Sequence, residues 1–473
     1  MNALAPFAPI LVLSVGGLGY LVGGRFLEGL RSAALFAILL VAIALWFTVD
    51  LANTPSGVSI HGVVVNAGTK ILAIVACLAG LVSIIATASS LEGERVAMFS
   101  EYYYLMLTSL CGALIMIFAA DFLTLFIGVE VASLALYCLC AARVHEKRSS
   151  EAAMKYFLLG CFSSGFLLYG IALWYGATGS LALNAGGSVP VNAPILALSF
   201  LMILFGIAFK IGLAPFHFWV PDVYQGAPTS VTTFMSCIVK VAAVGALLRI
   251  LANSFGFNEL YVVGPLWILS ILAMTVGNLA ALQQRSVKRM LAYSSVAQAG
   301  YMLIGLVVAG VAAEAISATL YYLIAYCAMT IGAFSVLSAI GPDADSLDDL
   351  KGLGKRSPFL ATTMTLFFLA LAGLPPGLAG LMGKVYLFSS ALSAEYYGLA
   401  IIAALNSALA CAYYFRVPVA ILSTGVGDGA PLKVSSQTKL AVGICAIAVV
   451  LLGMFPERLL ILLREAALAV LAR

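Results

Sequence analysis

Long apolar runs, each close to the thickness of a lipid bilayer and separated by short polar punctuation, organise the whole chain. A membrane-crossing helix needs about 20 apolar residues. Runs at 4–23, 30–50, 67–89, 103–120, 121–142, 154–176, 194–216, 229–252, 260–282, 289–311, 313–340, 358–391, 396–421 and 438–455 meet that need, which predicts fourteen spans. The fourth and fifth are divided only by the corner Ala119-Ala120-Asp121, where Asp121 is placed to start a helix. An amphipathic tail, 456–473, follows Pro456. The first run lacks a basic leader and a small-residue cleavage site, so it reads as a span and not as a signal peptide. The expected fold class is an all-α polytopic membrane protein.

Two spans are interrupted in the same way. The seventh runs into Gly212-Leu213-Ala214-Pro215-Phe216, and the twelfth carries Gly373-Leu374-Pro375-Pro376-Gly377. Proline removes a backbone donor and glycine loosens the helix, so both breaks free carbonyls at membrane depth, where water or protein must satisfy them. Five spans separate the breaks, so the two helices run in opposite directions. Matching breaks in oppositely running helices mark inverted-topology repeats in transporters. The expected division is 1–102 (spans 1–3), 103–252 (spans 4–8, the first half-channel), 253–421 (spans 9–13, the second) and 422–473 (last span and tail).

Composition agrees with this picture: the chain is 63% hydrophobic and 9% charged, against about 25% charged for soluble domains. Charge adds orientation. Sixteen of the 24 basic residues, among them Arg25, Arg95, Lys155, Arg289 and Lys351, fall at loops after odd-numbered spans. The opposite loops hold only Lys70 and Arg249. The positive-inside rule then places both termini outside. No basic patch interleaved with aromatics suggests nucleic acid. The nine cysteines form no C-x-x-C pair, the closest being Cys138-x-Cys140, so no iron–sulfur cluster is expected. There is no dinucleotide fingerprint, Walker A motif or H-E-x-x-H. No cofactor or metal site is therefore expected in this chain, and if electrons or nucleotides matter, another subunit handles them.

The chemistry lies in four ionisable residues inside the spans: Glu130, Lys210, Lys240 and Lys384. A charge at a helix centre costs about 2.5–3.5 kcal/mol on insertion scales, and such residues usually mark an ion or proton route. Glu130 lies ~15 Å into span five at 1.5 Å per residue, with Ser133 and Tyr137 on its face. Burial favours a neutral amine and a neighbouring carboxylate favours the charged one. A Glu130–Lys210 pair would thus hold a proton, and its separation would release it. Lys240 sits mid-span with Ser236 and Ala243 beside it, and Lys384 follows the second break towards the outer end. His217, Asp222 and Tyr224 gather at the end of span seven as a secondary group, which serves either as a proton inlet or as a stabilised re-entrant turn. Lys155, also secondary, follows Glu151 by four residues, which fits a local ion pair.

Three segments carry a resemblance: Lys210 through Pro228, Arg285-Ser-Val-Lys-Arg-Met-Leu-Ala-Tyr-Ser-Ser295, and Asp349-Leu-Lys-Gly-Leu-Gly-Lys-Arg-Ser-Pro358. They resemble the antiporter-like membrane subunits of respiratory complex I, over nearly the whole chain. The resemblance implies proton translocation in a NADH–quinone oxidoreductase. FMN, iron–sulfur clusters and quinone would sit in partner subunits, and the company would be further antiporter-like and small helical subunits in a bacterial inner membrane. It implies that Glu130 pairs with Lys210, that Lys240 links two half-channels and that Lys384 lies on the exit side. The alternatives are a multisubunit cation/proton antiporter and a membrane-bound hydrogenase-type complex, told apart by the copurifying subunits. Many relatives carry histidine where this chain has Gln298. Glutamine orients water but takes no proton at neutral pH, so a water wire is expected to replace a titrating relay there.

Overall fold

The computed structural model describes residues 5–23, 30–51, 58–60, 62–88, 91, 99–187, 193–257, 259–341, 344–423 and 431–471. Arg25, Arg95 and Arg473 lie outside these residues. The helices in chain order are α1 (Ala8–Gly23), α2 (Leu30–Asp50), α3 (Ala67–Thr87), α4 (Phe99–Phe118), α5 (Phe122–Cys140), α6 (Lys147–Thr178), α7 (Ala193–Ile211), α8 (Trp219–Gly226), α9 (Thr229–Ile250) and α10 (Leu260–Leu282). They continue as α11 (Val287–Val308), α12 (Ala315–Ile340), α13 (Leu353–Arg356), α14 (Pro358–Ala372), α15 (Leu378–Ser393), α16 (Tyr397–Tyr414), α17 (Arg416–Leu422), α18 (Ser436–Met454) and α19 (Pro456–Leu471). Among the described residues, thirteen helices are long and apolar enough to cross a membrane. The shorter α14 and α15 together fill the twelfth run, 358–391. The chain is thus an all-α polytopic membrane protein.

Two details differ from the hydropathy reading. A two-stranded antiparallel ribbon, β1 (Val58–Ile60) with β2 (Val63–Val65), turns at Gly62 before α3. It is too short for its alternation to stand out beside 20-residue apolar runs. Helix α6 starts at Lys147, seven residues before the apolar run at 154. Its first turns are built from Lys147, Arg148 and Glu151, whose helix propensities are close to that of Leu.

Helix starts are fixed by caps. The Asn66 side chain accepts from Thr69 N at 2.9 Å, and Thr69 returns the bond to Asn66 N at 3.0 Å. Asp121 accepts from Thr124 N at 2.7 Å to start α5, and Ser286 accepts from Arg289 N at 3.0 Å to start α11. These two caps occupy matching places. Asp121 also bridges Ala182, and Ser286 bridges Ser346. The helix pairs they join, α4 with α5 and α10 with α11, pack backbone against backbone. A Cβ on Gly112 would lie 2.8 Å from Gly128 O, and one on Gly277 would lie 2.8 Å from Tyr293 O.

The two breaks repeat as well. Gly212 and Gly373 take left-handed φ of 81° and 83°. Leu213 N returns to Ala208 O at 2.9 Å, and Leu374 N to Leu369 O at 2.9 Å, the 6→1 closure of a Schellman motif. Every residue of α9 is buried, and α11 is nearly so. These two helices form the centre, with the broken spans packed around them.

Candidate functional site

Lys210 sits in the last turn of α7, just before the first break, with only 3% of its surface exposed. Its Nζ donates to Ser133 Oγ at 2.8 Å and to Tyr137 OH at 3.3 Å. These are the residues one and two turns beyond Glu130 on α5. Ser133 gives its own proton to Val129 O at 2.6 Å, so its lone pair faces the amine. Glu130 is half-buried and accepts from Ser164 Oγ on α6. No ion pair within 4 Å joins Glu130 to Lys210 among the described residues. Glu130 acts on the Lys210 amine through its charge and without direct contact.

Lys240 lies at the middle of the wholly buried α9. The expected small-residue face contributes no partner: Ser236 turns back to Thr233 O at 3.0 Å. Instead Nζ crosses to α11, donating to Ser295 O at 2.6 Å and Ser295 Oγ at 2.5 Å. Tyr326 of α12 donates to the same Ser295 Oγ at 3.0 Å, and its ring lies 4.8 Å from Nζ. Lys384 reaches back from α15 to the broken end of α14. It donates to Ala372 O at 2.8 Å, Leu371 O at 3.2 Å and Ser407 Oγ at 3.0 Å. The carbonyls released by the second break are therefore taken by a lysine. Each amine rests on neutral oxygens and on the face of an aromatic ring, an arrangement that holds an ammonium and still leaves its proton transferable.

Gln298 joins the last two lysines. Its Nε2 donates to Leu371 O at 3.2 Å, the carbonyl that also binds Lys384, and to Tyr414 OH at 2.9 Å. Its Oε1 accepts from Tyr322. Ser294, one residue from the Lys240 partner, hydrogen-bonds Tyr414 as well. The amide is fully engaged, so a hydroxyl cluster of Ser294, Tyr322 and Tyr414 surrounds the place where a titrating relay could stand.

The three residues expected to gather after span seven diverge. His217 is buried in the turn between α7 and α8, stacked on Phe218 with its Nδ1 unpartnered. Burial pushes its pKa down, against a backbone hydrogen bond at Pro215. Tyr224 turns inward to Ser295. Asp222 faces outward and binds Lys155 Nζ at 2.8 Å and Arg289 Nη1 at 2.7 Å. Lys155 also pairs with Glu151 at 2.8 Å. Partial burial works to raise the Asp222 pKa, but the hydrogen bonds from Lys155 and Arg289 outweigh it and hold the carboxyl below the usual carboxylate range. The sequence reading missed Ser164, Ser295, Ser407 and Arg289. Only the Ser294-Ser295 pair inside an apolar span gave a signal. Among the described residues no group of three His, Cys, Asp or Glu could hold a metal ion.

This arrangement has known counterparts. The family described as NADH:quinone oxidoreductase/Mrp antiporter, TM, matches residues 119–410. The chain is 42% identical over 421 residues to NADH-quinone oxidoreductase subunit N 1 of Sorangium cellulosum, covering 85% of this chain and 82% of that protein. A chain of respiratory complex I from Thermus thermophilus with bound aureothin is 34% identical with a TM-score of 0.83, covering 96% of this chain and 98% of that one. A chain of the Mrp complex from Dietzia shares the fold at 22% identity, with a TM-score of 0.86 and coverage of 100% and 98%. The chain belongs to the NADH:quinone oxidoreductase/Mrp antiporter transmembrane family, and within it to the subunit N group of NADH–quinone oxidoreductase.

Proposed function

We propose that the chain moves protons across a bacterial inner membrane as the subunit N component of a NADH–quinone oxidoreductase, with both termini on the outer side. Its four functional groups are Glu130, Lys210, Lys240 and Lys384. One observation carries the reading: three lysines at membrane depth hold their amines on neutral oxygens of neighbouring helices, and two of them adjoin matching helix breaks. At the breaks, freed carbonyls and small residues can admit water beside these amines. Spans 4–8 and 9–13 form the two half-channels, joined where Lys240 of α9 meets Ser295 of α11.

In this reading Glu130 stabilises the Lys210 ammonium through its charge. A charge change in a neighbouring subunit acts on the half-exposed Glu130 and weakens that hold. The proton then passes through hydroxyls and water to Lys240 and on to Lys384, while Gln298 fixes the geometry between them. Moving one charge against 100 mV costs ~2.3 kcal/mol. The chain's own residues supply no redox energy, so FMN, iron–sulfur clusters and quinone in partner subunits drive the step. The Mrp antiporter alternative rests on the shared family and on a likeness at 22% identity, against 42% and 34% for the NADH–quinone oxidoreductase relatives, and is the weaker reading. Copurification without flavin subunits would favour it. Replacing Lys210 by Met or Glu130 by Gln in the assembled complex should lower the protons moved per NADH oxidised. An unchanged ratio in assembled complex rejects the proposal.

A further inference from the structure

Asp222 does more than sit at the protein surface. It lies on α8, the short piece between the break at Lys210 and the helix of Lys240. One carboxylate oxygen, Oδ2, accepts from Lys155 of α6 at 2.8 Å. The other, Oδ1, accepts from Arg289 at the start of α11 at 2.7 Å. The first belongs to spans 4–8 and the second to spans 9–13. Arg289 Nη1 also reaches Gln225 Oε1 at 3.3 Å, and Gln225 Nε2 donates to Asp345 Oδ2 at 2.6 Å. Asp345 Oδ1 closes the set by accepting from Ser286, the cap of α11, at 2.5 Å. Beside it Gly226 presses on α6, where a Cβ would lie 2.7 Å from Arg148 O. An open cleft of about 260 Å³, lined by charged and amide side chains that include Lys155, Asp222 and Arg289, lies over this junction and has room for water.

We propose that Asp222 is a positioning residue that clamps the two halves of the chain across α8 and so sets how closely α6 and α11 approach at the mouth of the Lys210 break. The proposal rests on the proton-transfer reading above. A lone exposed ion pair contributes little. A carboxylate shared by two cations on separate helices constrains three helices at once, and here the middle one joins two of the candidate proton-carrying lysines. Asp222 thus shapes the path without taking up a proton.

The test uses the assembled complex in inverted membrane vesicles, at matched subunit content, and measures protons moved per NADH oxidised. Asp222→Asn and Arg289→Gln should each lower the ratio by roughly twofold or more, the low end of couplings within one ion-pair network. Asp222→Glu should restore most of it, and the double variant should lose no more than Asp222→Asn alone. An unchanged ratio for Asp222→Asn, or losses that multiply in the double variant, overturns the clamp. If Asp222→Asn does not assemble, the Lys155→Gln, Arg289→Gln pair removes both partners and decides on the same criterion. Lys210→Met separates the two claims. If it lowers the ratio and Asp222→Asn does not, only the clamp fails. If it pumps normally, the proton-transfer reading fails.

Discussion

A buried lysine is only as steady as its oxygen partners. Lys210 has two hydroxyls, Lys240 one serine through two atoms, and Lys384 two carbonyls and a hydroxyl. Hydrogen bonds to charged groups contribute about 1.5–3 kcal/mol. Removing the Ser133 hydroxyl should therefore weaken the hold on the Lys210 ammonium by that order. Ser133→Ala is expected to cut protons moved per NADH in assembled complex, and Ser133→Thr, which keeps the oxygen, to restore them. A wild-type ratio in Ser133→Ala would show that Tyr137 alone suffices. At the surface, Asp222 behaves differently. Its folded pKa lies below its unfolded one, so its contribution is complete above the unfolded pKa and is lost as pH falls through the folded one. The Asp222 carboxylate should therefore stay ionised from pH 8 down to pH 5. An infrared difference spectrum against Asp222→Asn checks this, and a protonated carboxyl band at pH 5 would contradict it.

Helices set where these residues can stand, and the two breaks are the decisive elements. Gly373 has φ of 83°, and a Cβ there would lie 3.2 Å from Lys384 Cδ. An L-residue in that conformation costs about 1–2 kcal/mol. Gly373→Ala should thus disturb Lys384 in addition to straining the turn, lowering the pumping ratio in complex that still assembles. An unchanged ratio would mean that the break tolerates both. The breaks were legible because G-L-x-P departs from helix chemistry at a visible place. The backbone contact at Gly277 and Tyr293 was not, because 44 glycines give no sign of which one meets a neighbouring helix. The α6 extension was hidden for a related reason: hydropathy marks where lipid begins and not where a helix ends.

Taken as one molecule, the chain places Lys210, Lys240 and Lys384 along the packed centre of α7, α9, α11 and α15. Span number and the isolated charges could be read from the sequence, since each shows as a departure from apolar monotony. The partners could not. Ser295 meets Lys240 from 55 residues away, and a serine in a span carries no mark of the helix it will face. The same limit turned the expected Glu130–Lys210 contact into two charges with separate hydroxyl partners. Of Lys210, Lys240 and Lys384, it is Lys240 that bridges the two halves, through Ser295. The most direct test is the number of protons moved per NADH oxidised by the assembled complex carrying Lys240→Met, measured in sealed vesicles beside the wild type. A clear fall in that number is the expected result. A wild-type number at wild-type subunit content would contradict the claim that protons cross through this chain of lysines.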